Sequence, residues 1–172
     1  LARLEGLGHD VTVVDDDLVA TTAMGGFDLI VISSTAQTNL IPTSMKSLAV
    51  PILSSDAPIS VRLGLGKSAG SANGTSLNIV APTHPLAAGR SGTVAVSASA
   101  AFTALTPSSG STIVARRVGA TNTAIFAIEP GAALGSGAAP ARRVGFFLGA
   151  NAPARLNATG WSLFDTAVTW AL

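Results

Sequence analysis

Residues 51–60 read PILSSDAPIS, a short apolar run that stops at Ser54, Ser55 and Asp56. The pattern predicts a buried strand at Pro51–Leu53 and a following helix whose first turn is capped by Asp56. In several α/β families a nucleophile lies at such a strand end. The two serines are therefore candidate catalytic residues as well as candidate turn residues.

The same alternation of strand and helix occurs upstream of this stretch. Strands are predicted at Val11–Val14 and Leu29–Ser33, which are short, apolar and β-branched like strands buried on both faces. Leucine spacing over residues 1–7 predicts a helix that ends at Gly8. Strands that alternate with helices favour a parallel sheet.

The second half of the chain has a different pattern. Strand-like runs are separated by Gly, Ser, Pro and Asn turns, which predicts a mixed or antiparallel extension of the sheet. The last residues, TGWSLFDTAVTWAL, have one apolar face and predict a helix capped by Thr159. Residues 1–172 are thus predicted to form a single α/β domain. No strand precedes the first helix, which predicts a fragment or module of a larger protein.

Composition restricts the function classes. Charged residues make up 11% of the chain and the net charge is +1, whereas about 25% of an average globular domain is charged. The basic residues form no stripe and no apolar run is long enough to span a membrane, which argues against a nucleic-acid partner and a membrane span. A surface rich in small residues predicts an extracellular or cell-surface location. Asn73 and Asn157 match the glycosylation sequon, which matters only in a host that glycosylates.

Several segments, taken in order, resemble one known family. They are LEGLGHDVTVVD (4–15), GGFDLIVISS (25–34), VPILSSDA (50–57) and PTHPLAAG (82–89). Together they are similar to the class I glutamine-amidotransferase-like fold, and within it to the ThuA-like, trehalose-utilisation group. The resemblance implies a flavodoxin-like, mainly parallel sheet flanked by helices, with the mixed or antiparallel extension in the second half. That family uses a Cys nucleophile, and this chain has no Cys, so the resemblance implies a scaffold without the catalytic set.

A serine hydrolase reading depends on His84. A serine nucleophile needs a base within hydrogen-bond reach, and His84, in PTHPLAAG, is the histidine expected to approach the carboxyl edge of the sheet. A hydrolase acting on a carbohydrate-related substrate would then use Ser54 or Ser55 with His84. The glycines of a G-x-S-x-G elbow are missing around both serines. The alternative is that the serines and Asp56 form a turn and a helix cap.

Two further clusters carry candidate chemistry. Asp15, Asp16 and Asp17 follow a predicted strand, and three carboxylates can bind a hard cation such as Ca²⁺ or Mg²⁺; the alternative is a solvated loop with helix-capping aspartates. In the pairs at 116–117 and 142–143, strand alternation directs one arginine of each pair inward. These arginines would form ion pairs at strand ends or bind an anionic glycan. No cofactor is predicted.

Together these observations predict a non-catalytic binding or structural module of an exported bacterial protein. Its contacts would be with glycan, with neighbouring domains of the parent protein, or with copies of itself. If the natural chain begins at Leu1, the predicted sheet has an open position beside Val11–Val14, and an added strand would fill it and drive assembly. The hydrolase with Ser54, Ser55 and His84 is the alternative function.

Overall fold

The computed structural model describes residues 1–150 and 152–172. In this part of the chain the α-helices are Ala2–Gly6 (α1), Ala57–Arg62 (α2) and Ala158–Ala171 (α3). The strands are Ile30–Ile32 (β1), Ile52–Ser54 (β2), Gly66–Ile79 (β3), Gly92–Pro107 (β4), Ser111–Arg117 (β5), Thr123–Ile128 (β6) and Arg143–Gly145 (β7). Single 3₁₀ turns occupy Met24–Gly26, Thr43–Ser47, Pro85–Ala87 and Pro153–Arg155. None of the helices in these residues is long and apolar enough to cross a bilayer.

The strands form one sheet in the order β1-β2-β7-β6-β4-β3-β5, and β5 also pairs with β6. Strands β6, β4, β3 and β5 therefore close on themselves as a small barrel. All pairings within the barrel, and the β6–β7 pairing, are antiparallel. Only β1–β2 and β2–β7 are parallel, and each of these three strands has three residues.

The predicted fold class is therefore wrong. The sheet is mostly antiparallel and closes into a barrel, whereas a mainly parallel, flavodoxin-like sheet was expected. The same topology contradicts the resemblance to the amidotransferase-like, ThuA-like group. Two predicted strands do form, β1 within Leu29–Ser33 and β2 one residue beyond the predicted Pro51–Leu53, but Val11–Val14 forms no ladder. Most of the sheet is β3 and β4, with 14 and 16 residues. Their small side chains give little hydrophobic periodicity, although their main-chain groups pair along nearly the whole length.

Apolar side chains fill both faces of the short parallel strands. Leu53 belongs to a first buried cluster and Ile52 to a second, as alternation along a strand requires. The first cluster lies under α3 and includes much of the barrel. The second lies under α2 and the loop after β1. The parallel strands are therefore buried on both sides, which explains why their sequences are continuous apolar runs.

Both larger helices begin at a side-chain cap. At α2 the prediction is confirmed, because the Ile59 N–H donates to Asp56 Oδ1 at 2.7 Å. At α3 the predicted cap, Thr159, is wrong. The Gly160 N–H donates to Asn157 Oδ1 at 3.0 Å, so the helix begins two residues earlier than the sequence pattern indicated.

Candidate functional site

Ser54, the first candidate nucleophile, ends β2 and is only 1% exposed. Its Oγ donates to the Asp56 carbonyl at 3.1 Å and lies 2.9 Å from Ser60 Oγ on α2. Ser60 Oγ in turn donates to the Asp56 carbonyl at 2.8 Å. These contacts connect the end of β2 to the first turn of α2. The Ser54 hydroxyl thus takes part in a strand-to-helix turn.

Ser55, the second candidate, joins neighbouring strands through its main chain. Its N–H donates to the Ile32 carbonyl at 3.0 Å, and its carbonyl accepts from Thr103 Oγ1 at 3.1 Å. The cavity beside Ser54 holds about 10 Å³, which is the room of roughly one water molecule. An organic substrate does not fit in that space.

Asp56 is the ionisable group nearest to these serines. Burial raises the pKa of the Asp56 carboxyl, and the hydrogen bond from the Ile59 N–H opposes part of that rise. Its Oδ1 is used to cap α2. The Asp56 carboxylate therefore acts as the N-cap that stabilises the first turn of α2.

His84 lies in the loop after β3, at the start of the turn Pro85–Ala87. Its Nδ1 accepts from the Leu86 N–H at 3.2 Å, and its ring centroid is 5.5 Å from that of Trp170. Burial lowers the pKa of the His84 imidazole, and the charge of Glu129 opposes that shift. The neutral ring is therefore favoured, with its acceptor nitrogen bonded to the backbone.

Ser54 and His84 lie at opposite ends of the parallel strands. Ser54 pairs with Gly145 at the carboxyl ends of β2 and β7. His84 contacts Trp170, whose ring also lies 5.0 Å from the guanidinium carbon of Arg142. Arg142 precedes the first residue of β7, so the Trp170 cluster is at the amino end. The structure does not bring the serines and the histidine together.

The three aspartates at 15–17 do not converge. Asp16 Oδ2 accepts from the Gln37 N–H at 2.6 Å, whereas Asp15 and Asp17 are exposed. In residues 1–150 and 152–172 no group of three or more His, Asp or Glu side chains is placed to hold a metal ion. The contact of Asp16 joins the segment after residue 14 to the loop after β1.

The pair at 142–143 follows the predicted alternation. Arg143 is buried, and Arg142 lies at the surface, where its Nε is 3.7 Å from Glu129 Oε2. Arg142 Nη1 also donates to the Trp170 carbonyl at 2.6 Å, which satisfies a carbonyl in the last turn of α3. Asp165, the other acidic residue after residue 128, pairs with Arg3 of α1.

An open sheet edge lies at β1. The Ile30 N–H donates to the Pro51 carbonyl and the Ile32 carbonyl accepts from the Ser55 N–H, both at 3.0 Å and both toward β2. The N–H and C=O of Val31 therefore face away from β2. No other strand pairs with β1 on that side, because β1 is at the end of the strand order. We call this surface the β1 edge.

Residues 11–14 are a second unpaired strand-like segment. Their sequence, VTVV, is β-branched throughout, yet they form no backbone hydrogen bond to the described residues. The side chain of Val13 is 70% exposed, whereas Val14 packs against the second buried cluster. The hydrogen bond between the Gln37 N–H and Asp16 attaches the residues that follow this segment to the loop after β1.

Comparison with known proteins gives a fold and no family. The fold resembles that of a solved structure. It is the Cytoplasmic Protein STM3548 from Salmonella typhimurium, which aligns with a TM-score of 0.67 at 12% identity over 99% of this chain and 84% of that chain. No protein-family model matches the chain, and no curated protein matches it. At this identity the likeness concerns the fold alone.

The comparison also bears on the predicted location. The protein of similar fold is named as cytoplasmic, which points away from the extracellular or cell-surface location inferred from composition. A surface of small, uncharged residues is compatible with more than one compartment. We therefore withdraw that prediction.

Sequence reasoning missed two features. One is the ion pair between Arg3 and Asp165, which attaches α1 to α3. These two residues are separated by most of the sequence. The other is a groove at the turn between β5 and β6, lined by Arg116 and Arg117. The sequence did indicate a positively charged region, because residues 57–128 contain Lys and Arg residues but no Asp or Glu.

Proposed function

We propose that this chain is a non-catalytic structural module that associates with copies of itself at the β1 edge. The observation that carries the proposal is the presence, in one chain, of an open sheet edge and an unpaired β-branched segment. An open edge offers main-chain groups to an added strand. Residues 11–14 of a second copy are of the right composition to be that strand.

The exposed apolar side chains around this segment support the same proposal. Leu7, Val13 and Leu18 are all exposed. Covering apolar surface on association is favourable, and β-branched residues gain most when they pack on a neighbouring strand. Because one chain carries both the acceptor edge and the donor segment, a second copy is the occupant we propose.

The non-catalytic part of the proposal is supported by the placement of the candidate residues. The Ser54 hydroxyl bonds within the strand-to-helix turn, and the cavity beside it has the room of about one water molecule. His84 contacts Trp170 at the other end of the parallel strands. The hydrolase alternative with Ser54, Ser55 and His84 gains no support from this arrangement.

Sedimentation velocity over a range of concentrations tests the proposal. We expect the unmodified chain to associate and Val13→Lys to be monomeric, because a lysine on an edge segment disfavours strand addition. Val118→Lys is the matched control, since Val118 is 51% exposed in the turn between β5 and β6. It should associate like the unmodified chain.

Val31→Pro provides a second variant that is independent of the donor segment. It removes the N–H that faces away from β2 and leaves the β1–β2 bonds in place, so we expect association to be lost here too. An unmodified chain that stays monomeric up to millimolar concentration would contradict the proposal. Association that persists in both Val13→Lys and Val31→Pro would also contradict it.

A further inference from the structure

Positive and negative charges are segregated along this chain. Residues 57–128 contain five Lys and Arg residues and no Asp or Glu, whereas all nine acidic residues lie in 1–56 and 129–172. The segment without acids includes all four strands of the barrel. The barrel therefore carries unbalanced positive charge, although the net charge of the chain is only +1.

Part of this charge lines a groove at one end of the barrel. The groove holds about 430 Å³ and is lined by Asn78, Thr93 and residues 116–121. Pairing in register explains this lining, because Asn78 of β3 lies opposite Thr93 of β4 on one side and opposite Arg116 of β5 on the other. Side chains in register on adjacent strands share one face of the sheet. An amide, a hydroxyl and a guanidinium are thus adjacent there.

The two arginines of the groove differ in how they are held. Arg116 Nη1 donates to the Thr121 carbonyl across the turn, so its guanidinium is anchored. The arginines that donate side-chain hydrogen bonds within the described residues do not include Arg117. In residues 1–150 and 152–172, neither arginine lies within ion-pair distance of a carboxylate. One guanidinium is positioned, and both have free N–H groups.

We propose that this groove binds a tetrahedral oxyanion carried by a small molecule, either a phosphate ester or a sulfate ester. The planar N–H fork of arginine matches such oxygens, and the Asn78 amide and Thr93 hydroxyl add neutral donors. A volume of about 430 Å³ is within the range of small-molecule sites, so it accommodates more than the oxyanion. The site is separate from the β1 edge, since β2, β7 and β6 lie between β1 and β5. It does not depend on the proposed self-association.

The test is an NMR titration of the backbone amides with a phosphorylated monosaccharide, a sulfated monosaccharide and the uncharged sugar, with chloride at matched ionic strength as reference. We expect saturable shifts at residues 78, 93 and 116–121 with at least one ester, and none with the uncharged sugar. Preference for the phosphate or the sulfate ester identifies the source of the oxyanion.

Arg117→Gln is expected to weaken ester binding by about tenfold, since it removes a charge-assisted hydrogen bond. Arg155→Gln is the matched control, because Arg155 is an exposed arginine in the turn Pro153–Arg155, away from the groove. It should bind like the unmodified chain. The proposal is overturned if neither ester produces saturable shifts beyond those of chloride. It is also overturned if Arg117→Gln and Arg155→Gln bind equally well.

Discussion

At the scale of single residues, Arg143 shows how a charge is accommodated inside this protein. Its side chain is 0% exposed, and burial lowers its pKa to about 10, so it stays protonated at neutral pH. It bonds to main-chain oxygens, with Nη1 and Nη2 donating to the carbonyls of Lys46, Leu48, Val50, Ala141 and Arg142 at 2.7 to 3.2 Å. One guanidinium thereby fastens the loop before β2 to the start of β7.

Arg143→Met is predicted to lower the free energy of unfolding by about 3 kcal/mol, because several buried carbonyls lose their donor. Urea denaturation followed by circular dichroism measures the change. Arg155→Met, at an exposed arginine, should alter the free energy of unfolding by less than about 0.5 kcal/mol. Equal stability of the two variants would mean that the carbonyls find other partners and that Arg143 does not hold the loop.

At the scale of elements, α3 is attached to the barrel through its first turn. Asn157 Oδ1 caps the helix, while its Nδ2 donates to the Ala95 carbonyl on β4 at 3.1 Å. Gly160 lies so close to β4 that a Cβ there would be 2.4 Å from the Val96 carbonyl oxygen. The cap residue and the glycine together determine where the helix meets the sheet.

Asn157→Ala is predicted to cost about 1 to 2 kcal/mol in the free energy of unfolding, since both the cap and the bond to β4 are lost. Thr159→Ala is the comparison, and it should change stability by less than about 0.5 kcal/mol. Thermal and urea unfolding of the two variants distinguish them. A larger loss for Thr159→Ala would contradict the assignment of Asn157 as the cap.

At the scale of the whole molecule, the barrel and the parallel strands are joined by the β6–β7 pairing. Gly145 of β7 lies opposite Phe126 of β6. A Cβ at Gly145 would be 1.9 Å from the Phe126 ring. The ring thus occupies the position of the missing side chain, and the second buried cluster continues from the parallel strands to β6. The two parts should therefore unfold together.

Gly145→Ala is predicted to destabilise the protein by about 1 to 3 kcal/mol, because the Phe126 ring must move in a packed core. Gly70→Ala is the control, since a Cβ at Gly70 meets no atom within 4 Å, and its effect should be near zero. Denaturation observed by tryptophan fluorescence and by circular dichroism should give coincident transitions. Separate transitions would show that the barrel and the parallel strands are independent units.

Much of the local structure could be read from the sequence. Asp56 before an apolar segment encodes the start of α2, and the apolar face from Trp161 onward encodes α3. Alternation along a strand correctly predicted that one arginine of the pair at 142–143 faces inward. These predictions succeed because caps and alternation depend on residues close together in the chain.

Only the tertiary structure decided which main-chain groups pair. Residues 11–14 have the composition of a strand but no ladder, whereas the glycine-rich segment that opens β3 pairs with β4. The groove and the separation of Ser54 from His84 were likewise decided by the barrel. Main-chain donors and acceptors are the same in every residue, so their partners depend on how distant strands are brought together, which short sequence patterns do not record. The sequence alone determined the cap of α2 and the apolar face of α3, and the closure of the barrel determined which distant main-chain groups pair.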